Sequence, residues 1–171
     1  MSIHSETRKY EVVVVGGGLA GVCAAIASAR KGARTAIIQN RSMFGGNASS
    51  EIRMHIVGAN SHGAKKNLGE TGILLEILLA NKRRNPYALF PVFDSVIWEK
   101  VHFQENLESF LNTNMDDVIL EGKKIKAVVC HQNSTETEFT IYGDIFVDAT
   151  GHGTLATMCG ATGRMGSEGR D

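Results

Sequence analysis

A run of valines that ends in three glycines is the feature that most limits how this chain can fold. Residues 10–15 (YEVVVV) are mostly β-branched, and Gly16, Gly18 and Gly21 follow them in a G-x-G-x-x-G spacing. This pattern predicts a buried parallel strand that meets a tight turn. The small residues at 20–30 then predict a helix, and a second apolar run completes a βαβ unit with a right-handed crossover.

Each glycine of this spacing has a distinct predicted task. The first allows the tight turn, the second lets the backbone approach a pyrophosphate, and the third lets helix and strand pack closely. The amides at the start of the helix, at Leu19 and Ala20, then hold the negative charge. The motif therefore predicts dinucleotide binding, and the alternative is a glycine-rich turn without a ligand.

The end of the second strand raises the question of how a ribose would be bound. Gly32 ends the first helix, residues 35–39 predict the strand, and Gln39 stands where the ribose ligand is expected. A carboxylate accepts hydrogen bonds from both ribose hydroxyls, whereas an amide accepts with one atom and donates with the other. We predict that Gln39 contacts the ribose next to Asn40, and that Gln39→Glu keeps or improves cofactor affinity. Alternatively, Arg41 meets a 2′-phosphate and the ligand is NADP.

Composition narrows the class of protein. A chain of 171 residues with zero formal net charge predicts one domain and gives no electrostatic reason to expect a nucleic-acid or membrane partner. Its three cysteines lie far apart without a C-x-x-C pair, so we expect neither a disulfide framework nor a metal site. The first apolar run is too short for a signal peptide or a membrane span. We expect a cytoplasmic protein that acts on a small-molecule substrate.

The rest of the chain predicts helices followed by strands. Apolar spacing predicts an inserted helical segment at about 69–105, whose second helix has Asp94 or Ser95 as its N-cap. Ile97, Val101 and Trp98 are predicted to face inward, and Cys23 and Phe103 are also interpreted as core residues. Strands are predicted at 108–111, 117–120, 124–130, 136–142 and 145–148. The predicted divisions are a tail at 1–9, a domain at 10–160 and a loop at 161–171.

Two further motifs carry a resemblance to a known family. "MFGGNASSE" follows the second strand, and "IFVDATGHG" lies near the other end of the domain. Together with the first glycine motif, they resemble FAD-dependent oxidoreductases whose first half is a glutathione-reductase-like dinucleotide domain. The resemblance implies that small residues let the backbone follow an extended FAD molecule. It assigns to the cofactor Gly45, Gly46, Asn47, Ala48 and Ser49, the backbone of Met115, and Ala149, Thr150 and Gly151.

One subgroup is similar over most of the chain. "QNRSMFGGNASSEIRM", "NLGETGILLEIL", "RNP" and "LNTN" resemble a bacterial family of FAD-dependent oxidoreductases related in layout to fumarate-reductase-type flavoproteins. The resemblance implies an α/β, Rossmann-like FAD/NAD(P)-binding domain with a parallel central sheet, a helical insertion and a small β-meander. Members of that family are much longer, so residues that enclose the flavin are expected beyond Asp171. We therefore expect this stretch by itself to bind FAD without selective turnover.

The alternative functions are an NAD(P)-binding dehydrogenase domain and a non-catalytic nucleotide-binding domain. The candidate catalytic residue is Arg53, whose guanidinium would steady negative charge on a reduced flavin or a carboxylate substrate. An ion pair of Arg53 with Glu51 or Glu70 is the competing interpretation. Three histidines are interpreted as ordinary polar residues and not as flavin attachment points or catalytic groups: His55, His62 and His152.

Overall fold

A computed structural model describes residues 4–57, 59, 68–164 and 166 of the chain. In chain order the elements are β1 (His4–Val15), α1 (Leu19–Arg30), β2 (Thr35–Ile38), a short 3-10 turn (Gly46–Ala48), α2 (Gly72–Arg84), α3 (Phe90–His102), β3 (Leu107–Phe110), β4 (Thr113–Glu121), β5 (Lys124–Gln132), β6 (Thr137–Asp148) and α4 (Thr154–Met158). His62 lies outside the described residues, as do most of the positions after 164.

The strands form one sheet in the order β3-β2-β1-β6-β5-β4. The pairs β1–β2, β2–β3 and β1–β6 are parallel, whereas β4, β5 and β6 form an antiparallel meander. The order β3-β2-β1 with α1 between β1 and β2 is the predicted βαβ unit extended by one strand. An α/β domain of Rossmann-like type with a helical insertion and a small β-meander is therefore confirmed.

Two apolar clusters lie on the two faces of the sheet because successive residues of β1 point to opposite sides. Val12 and Val14 pack with α1, α2 and α3 on one face. Val13 and Val15 pack on the other face with apolar residues of the meander and of α4. The repeated valines are thus buried on both faces, as the continuous apolar run predicts.

Strand β1 is longer than its apolar run. It begins at His4, and residues 4–9 pair in parallel with residues 137–142 of β6. The boundary predicted at residue 10 is wrong for the strand, because exposed polar residues carried no apolar signal. The strands predicted at 136–142 and 145–148 are one continuous strand, β6. The division of the chain into domains stays a prediction.

The second inserted helix begins earlier than predicted. Helix α3 starts at Phe90, with Pro91 in its first turn and Leu89 as the N-cap, so Asp94 and Ser95 lie inside it and are not caps. Proline favours the first turn because its missing N–H is not needed there. Ile97 and Val101 are buried as predicted.

Three residues predicted to lie in the core are more exposed than expected. Trp98 and Phe103 are 38% and 72% exposed, which corrects their assignment to the core. Both rings contact His102, and the Trp98 and His102 rings stack with their centroids 4.2 Å apart. Cys23 is half-buried on α1, and burial raises the pKa of its thiol.

Candidate nucleotide-binding cleft

A cleft of about 900 Å³ opens where three parallel strands end. Val15, Ile38 and Asp148 are the last residues of β1, β2 and β6, so the loops that follow these strands meet at one edge of the sheet. In open α/β sheets this edge is where ligands bind. The size is toward the upper end of the range of ~300–1,000 Å³ for small-molecule sites.

The glycine loop (residues 16–21) is shaped by close backbone contacts. Gly16 has φ +108°, and a Cβ atom there would lie 2.2 Å from the carbonyl oxygen of Ala149. A Cβ atom on Gly21 would lie 1.9 Å from the carbonyl oxygen of Gly16. The first glycine therefore brings β1 against the end of β6, and the third lets α1 pack closely, as its spacing predicts.

Gly18 differs from its neighbours because it faces open space. Apart from Gly18 itself and the adjoining backbone, no atom lies within 4 Å of where its Cβ would be, and it lines the cleft. It is also the N-cap of α1, and no side chain caps this end of the helix. The first amides of an α-helix have no intrahelical acceptor and carry the positive end of the helix dipole. A diphosphate fits this position by both shape and charge.

The double-glycine loop (residues 43–49) lies directly against the glycine loop. The Gly45 amide donates to the carbonyl oxygen of Gly17 at 2.9 Å, and Gly18 and Gly45 form an isolated parallel bridge. A Cβ atom on Gly46 would lie 3.1 Å from the Cα atom of Gly18. These glycines let two backbones approach each other. The small residues were predicted to make room for a ligand, and part of that room is used for contact between the two loops.

Asp148 organises the ATG turn (residues 149–151). Its Oδ1 atom accepts hydrogen bonds from the Thr150 N–H at 3.0 Å and the Thr150 hydroxyl at 2.7 Å, and Oδ2 accepts from the Ala156 N–H at 2.9 Å. Burial raises the pKa of Asp148, but these hydrogen bonds outweigh burial and hold that pKa below its usual value. The carboxylate thus fixes the turn beside Gly16.

Gln39 is 5% exposed at the floor of the cleft, and both of its polar atoms bond within the protein. Its Oε1 atom accepts from the Gly17 N–H at 2.9 Å, and its Nε2 atom donates to the Met43 carbonyl oxygen at 3.1 Å. A Cβ atom on Gly17 would lie 2.8 Å from the Gln39 Cβ atom. The Phe44 Cδ1 atom would be closer still, at 2.7 Å, so the middle glycine of the triplet is needed because Gln39 and Phe44 both lie against it.

Two arginines follow the second strand. Arg41 lines the cleft and forms an ion pair with Glu51 at 2.5 Å. Arg53 has φ +63°, and its Nε atom donates to the Ser50 carbonyl oxygen at 2.9 Å. Among the described residues Glu51 therefore pairs with Arg41, which corrects the alternative that paired Glu51 with Arg53. A catalytic role of Arg53 stays a prediction.

Most of the predicted cofactor residues line this one cleft. They are Gly16, Gly18, Leu19, Ala20, Gln39, Asn40, Arg41, Gly45, Gly46, Asn47, Ala48, Met115, Ala149, Thr150 and Gly151, and His55 and His152 line it as well. Gly21 and Ser49 support the loops from behind, Ser49 by donating from Oγ to the Gly46 carbonyl oxygen at 2.7 Å. Sequence reasoning missed Gly17 and Asn114. The third consecutive glycine was the available signal for Gly17.

The described residues contain no cluster of three or more histidine, cysteine, aspartate or glutamate side chains that could hold a metal ion. Across the same part of the chain, no helix has the length and apolar character needed to cross a membrane.

Comparisons with solved structures agree with this fold. THI4 from Thermovibrio ammonificans aligns with a TM-score of 0.62 at 23% identity, covering 90% of this chain and 64% of that one. The fumarate reductase subunit FrdA of E. coli aligns with a TM-score of 0.55 at 15% identity, covering 85% of this chain and 33% of that one. Identities this low show the fold alone.

Curated relatives are closer in sequence. The tRNA uridine 5-carboxymethylaminomethyl modification enzyme MnmG of Geobacillus kaustophilus is 32% identical over 145 residues, which is 77% of this chain and 23% of that protein. MnmG of Sulfurihydrogenibium sp. is 28% identical over 142 residues, covering 78% of this chain and 22% of that protein. The chain therefore spans about a quarter of the length of these relatives.

Fold and cleft together define a dinucleotide-binding α/β domain with two facing glycine loops. The family model described as FAD dependent oxidoreductase matches residues 11–171. The chain belongs to the FAD-dependent oxidoreductase family, and its cofactor is FAD.

Proposed function

We propose that this domain holds FAD non-covalently in the cleft, with the diphosphate on the glycine loop and the open face of Gly18. The observation that carries the proposal is that three separate sequence motifs meet at one edge of the sheet, beside the uncapped start of α1. The double-glycine loop, the ATG turn and Met115 then border the rest of the cofactor. Asn40 and Arg41 form the polar rim on the adenosine side.

Flavin supplies the hydride or electron chemistry once bound, and the protein positions it and excludes water. Leu19, Ala20 and Gly18 present backbone amides and open space to the phosphates. His55 and His152 line the cleft, and Arg53 follows the double-glycine loop. We propose these three residues as polar neighbours of the cofactor or substrate. The substrate itself is proposed to be a small molecule.

A charge argument favours FAD over NADP. The Arg41 guanidinium, which a 2′-phosphate would need, is already paired with the Glu51 carboxylate at 2.5 Å. A 2′-phosphate there would be attracted by Arg41 but repelled by the Glu51 carboxylate. An unphosphorylated ribose carries no charge and would not be repelled.

The MnmG relatives are named for acting on uridine in tRNA. This chain carries 18 basic and 18 acidic residues, so it lacks the positive excess that supplies most nucleic-acid affinity. We therefore propose that these residues bind no nucleic acid.

A bacterial cytoplasmic location is also part of the proposal. All three thiols are free, as a reducing compartment favours.

The test is a pair of separate titrations of the apoprotein, one with FAD and one with NADP. Calorimetry measures binding in both, and flavin fluorescence gives a second measure for FAD. We expect FAD to bind at least about tenfold more tightly than NADP. Denaturation and filtration should then release all flavin from the polypeptide. Tighter binding of NADP would overturn the choice of cofactor, and flavin retained after denaturation would overturn non-covalent binding.

A further inference from the structure

The Gln39 side chain connects the two loops that are proposed to hold the diphosphate. It bonds to the Gly17 N–H in the glycine loop and to the Met43 carbonyl oxygen in the double-glycine loop. Its own backbone is fixed on both sides, because its N–H donates to the Phe110 carbonyl oxygen at 2.8 Å and its carbonyl oxygen accepts from the Thr113 N–H at 3.0 Å. Because these hydrogen bonds hold its backbone in place, the Gln39 side chain can set the distance between the two loops.

The two partners require an amide. Gly17 offers a donor and Met43 offers an acceptor, so one end of the side chain must accept and the other must donate. A carboxylate accepts at both ends and would place a negative oxygen against the Met43 carbonyl oxygen. Only 5% of Gln39 is exposed, so that charge would also be poorly solvated.

The same contacts leave little of Gln39 for a ribose. Both polar atoms have protein partners, and Gly17 covers the side chain closely enough that a Cβ atom there would lie 3.0 Å from the Gln39 Cδ atom. Both polar groups of the Gly17 backbone are bonded within the protein, because its N–H donates to Gln39 and its carbonyl oxygen accepts from the Gly45 N–H. The amides that remain for a phosphate are those at the start of α1.

We propose that Gln39 is a positioning residue that holds the glycine loop and the double-glycine loop in register for the cofactor, and that this position requires an amide. The inference rests on the proposed FAD site. It reverses the expectation from the sequence, in which Gln39 contacts the ribose and Gln39→Glu keeps or improves cofactor affinity. A protonated carboxyl group can replace the amide because its O–H donates to Met43, whereas an ionised one cannot.

The test is the FAD dissociation constant of Gln39→Glu relative to wild type at pH 8.0 and pH 5.5. Burial and the facing carbonyl oxygen raise the pKa of the introduced carboxyl group, so it is ionised at the higher pH and increasingly protonated at the lower. Arg41 is the charged residue nearest to Gln39 along the chain, and it pairs with Glu51. The ratio of the variant's FAD dissociation constant to that of wild type at each pH cancels the pH effects that both proteins share, including those on FAD.

We expect Gln39→Glu to bind FAD roughly tenfold or more weakly than wild type at pH 8.0, as the loss of a buried hydrogen bond predicts. The ratio should fall toward one at pH 5.5. Gln104→Glu is the matched control, because the Gln104 amide also accepts from a donor, Arg30, and donates to a carbonyl oxygen, that of Glu105, but in exposed contacts away from the cleft. A ratio at or below one at pH 8.0 overturns the proposal, and so does a tenfold loss that is the same at both pH values.

Gln39→Met keeps the proposal testable if the acid prevents folding. It removes both hydrogen bonds without adding charge, so we expect the melting temperature of the apoprotein to fall by about 3 °C or more. A residue that only binds ribose would leave the melting temperature of the apoprotein unchanged, and that result overturns the inference. If wild type itself binds no FAD, the proposed function fails, but the comparison of the apoproteins still decides whether Gln39 joins the loops.

Discussion

Gly16 and Gly18 stand two positions apart and are predicted to respond differently to the same substitution. Gly16→Ala forces a left-handed backbone on alanine and places its Cβ against the Ala149 carbonyl oxygen, whereas Gly18→Ala has φ −64° and open space. We expect Gly16→Ala to lower the free energy of unfolding of the apoprotein by about 2 kcal/mol or more. Gly18→Ala should change it by less than about 1 kcal/mol. Chemical denaturation of both apoproteins measures this, and equal losses would contradict the loop geometry.

Asp148 gives the turn at the end of β6 a defined pH dependence. Its pKa is lowered in the folded protein, so its stabilising contribution is complete above the unfolded pKa of about 3.9 and is lost as the pH falls through the folded pKa. Asp148→Asn keeps an acceptor for Thr150 but turns a donor toward the Ala156 N–H. We expect a loss of about 1 kcal/mol at pH 7, allowing for solvent screening.

The difference in melting temperature between wild type and Asp148→Asn should narrow below pH 4, because protonation removes the advantage of the wild-type carboxylate. Thermal melts at pH 7, 4 and 3 provide the measurement. A difference that stays constant down to pH 3 would mean that the Asp148 carboxylate does not stabilise the folded state through these bonds.

At the scale of single residues, the sequence predicted which positions line the cleft better than it predicted their hydrogen-bond partners. Glycine spacing located three positions that each need a missing side chain for a different reason. Gly16 has a left-handed backbone, Gly18 leaves open space at the start of α1, and Gly21 lets α1 pack against the Gly16 carbonyl oxygen. Glycine spacing could not show that the Gln39 amide bonds to Gly17 and Met43, since that choice depends on how two loops meet in space. A position in a motif indicates what lies near a cofactor, not which atoms face it.

At the scale of elements, helix α3 supports the double-glycine loop. The Asp94 carboxylate accepts from the Ser50 N–H, at 3.0 Å from one oxygen and 3.3 Å from the other. Ile97 is fully buried, and its Cδ1 atom lies 3.0 Å from where a Cβ on Gly45 would be. The inserted helices are therefore connected to the cleft and are more than a cover for the sheet.

Asp94 and Ser95 offer a matched pair of substitutions on this helix. Asp94→Ala leaves the part-buried Ser50 N–H without its acceptor, and we expect a loss of about 1–2 kcal/mol in stability. Ser95→Ala removes only an exposed bond to the Pro91 carbonyl oxygen inside the helix, so its effect should lie within about 0.5 kcal/mol. Urea unfolding of both variants distinguishes them. A larger loss for Ser95→Ala would favour the N-cap role that the sequence predicted.

Apolar periodicity predicted which elements exist and failed at some of their ends. The polar residues 4–9 join β1 because β6 pairs with them, and pairing between distant strands leaves no local signal. Proline at position 91 was the available sign that α3 begins before Asp94. Trp98 was assigned inward as part of an amphipathic helix, but Ile97 and Val101 lie on the buried face and Trp98 does not.

At the scale of the whole molecule, the fold class and the cleft followed from the order of three motifs along the chain. Parallel strands bring their carboxyl ends to the same edge, so motifs that follow β1, β2 and β6 must meet. The meander was predicted from its separate strands, but its continuity with the main sheet through β6 was not. The gap predicted between the strands at 136–142 and 145–148 falls within this one unbroken strand, where a Cβ atom on Gly143 would lie 2.8 Å from the Val13 side chain.

The most direct test of the FAD site is the dissociation constant of FAD for wild type, Gly18→Ala and Gly163→Ala, measured in one set of titrations. Gly163 is an exposed glycine with open space around it, and it does not line the cleft. A diphosphate above Gly18 predicts that Gly18→Ala binds FAD about tenfold or more weakly while folding normally, a change of ~1.4 kcal/mol or more. Gly163→Ala should bind like wild type. Unchanged FAD affinity in Gly18→Ala would contradict the placement of the cofactor on the glycine loop.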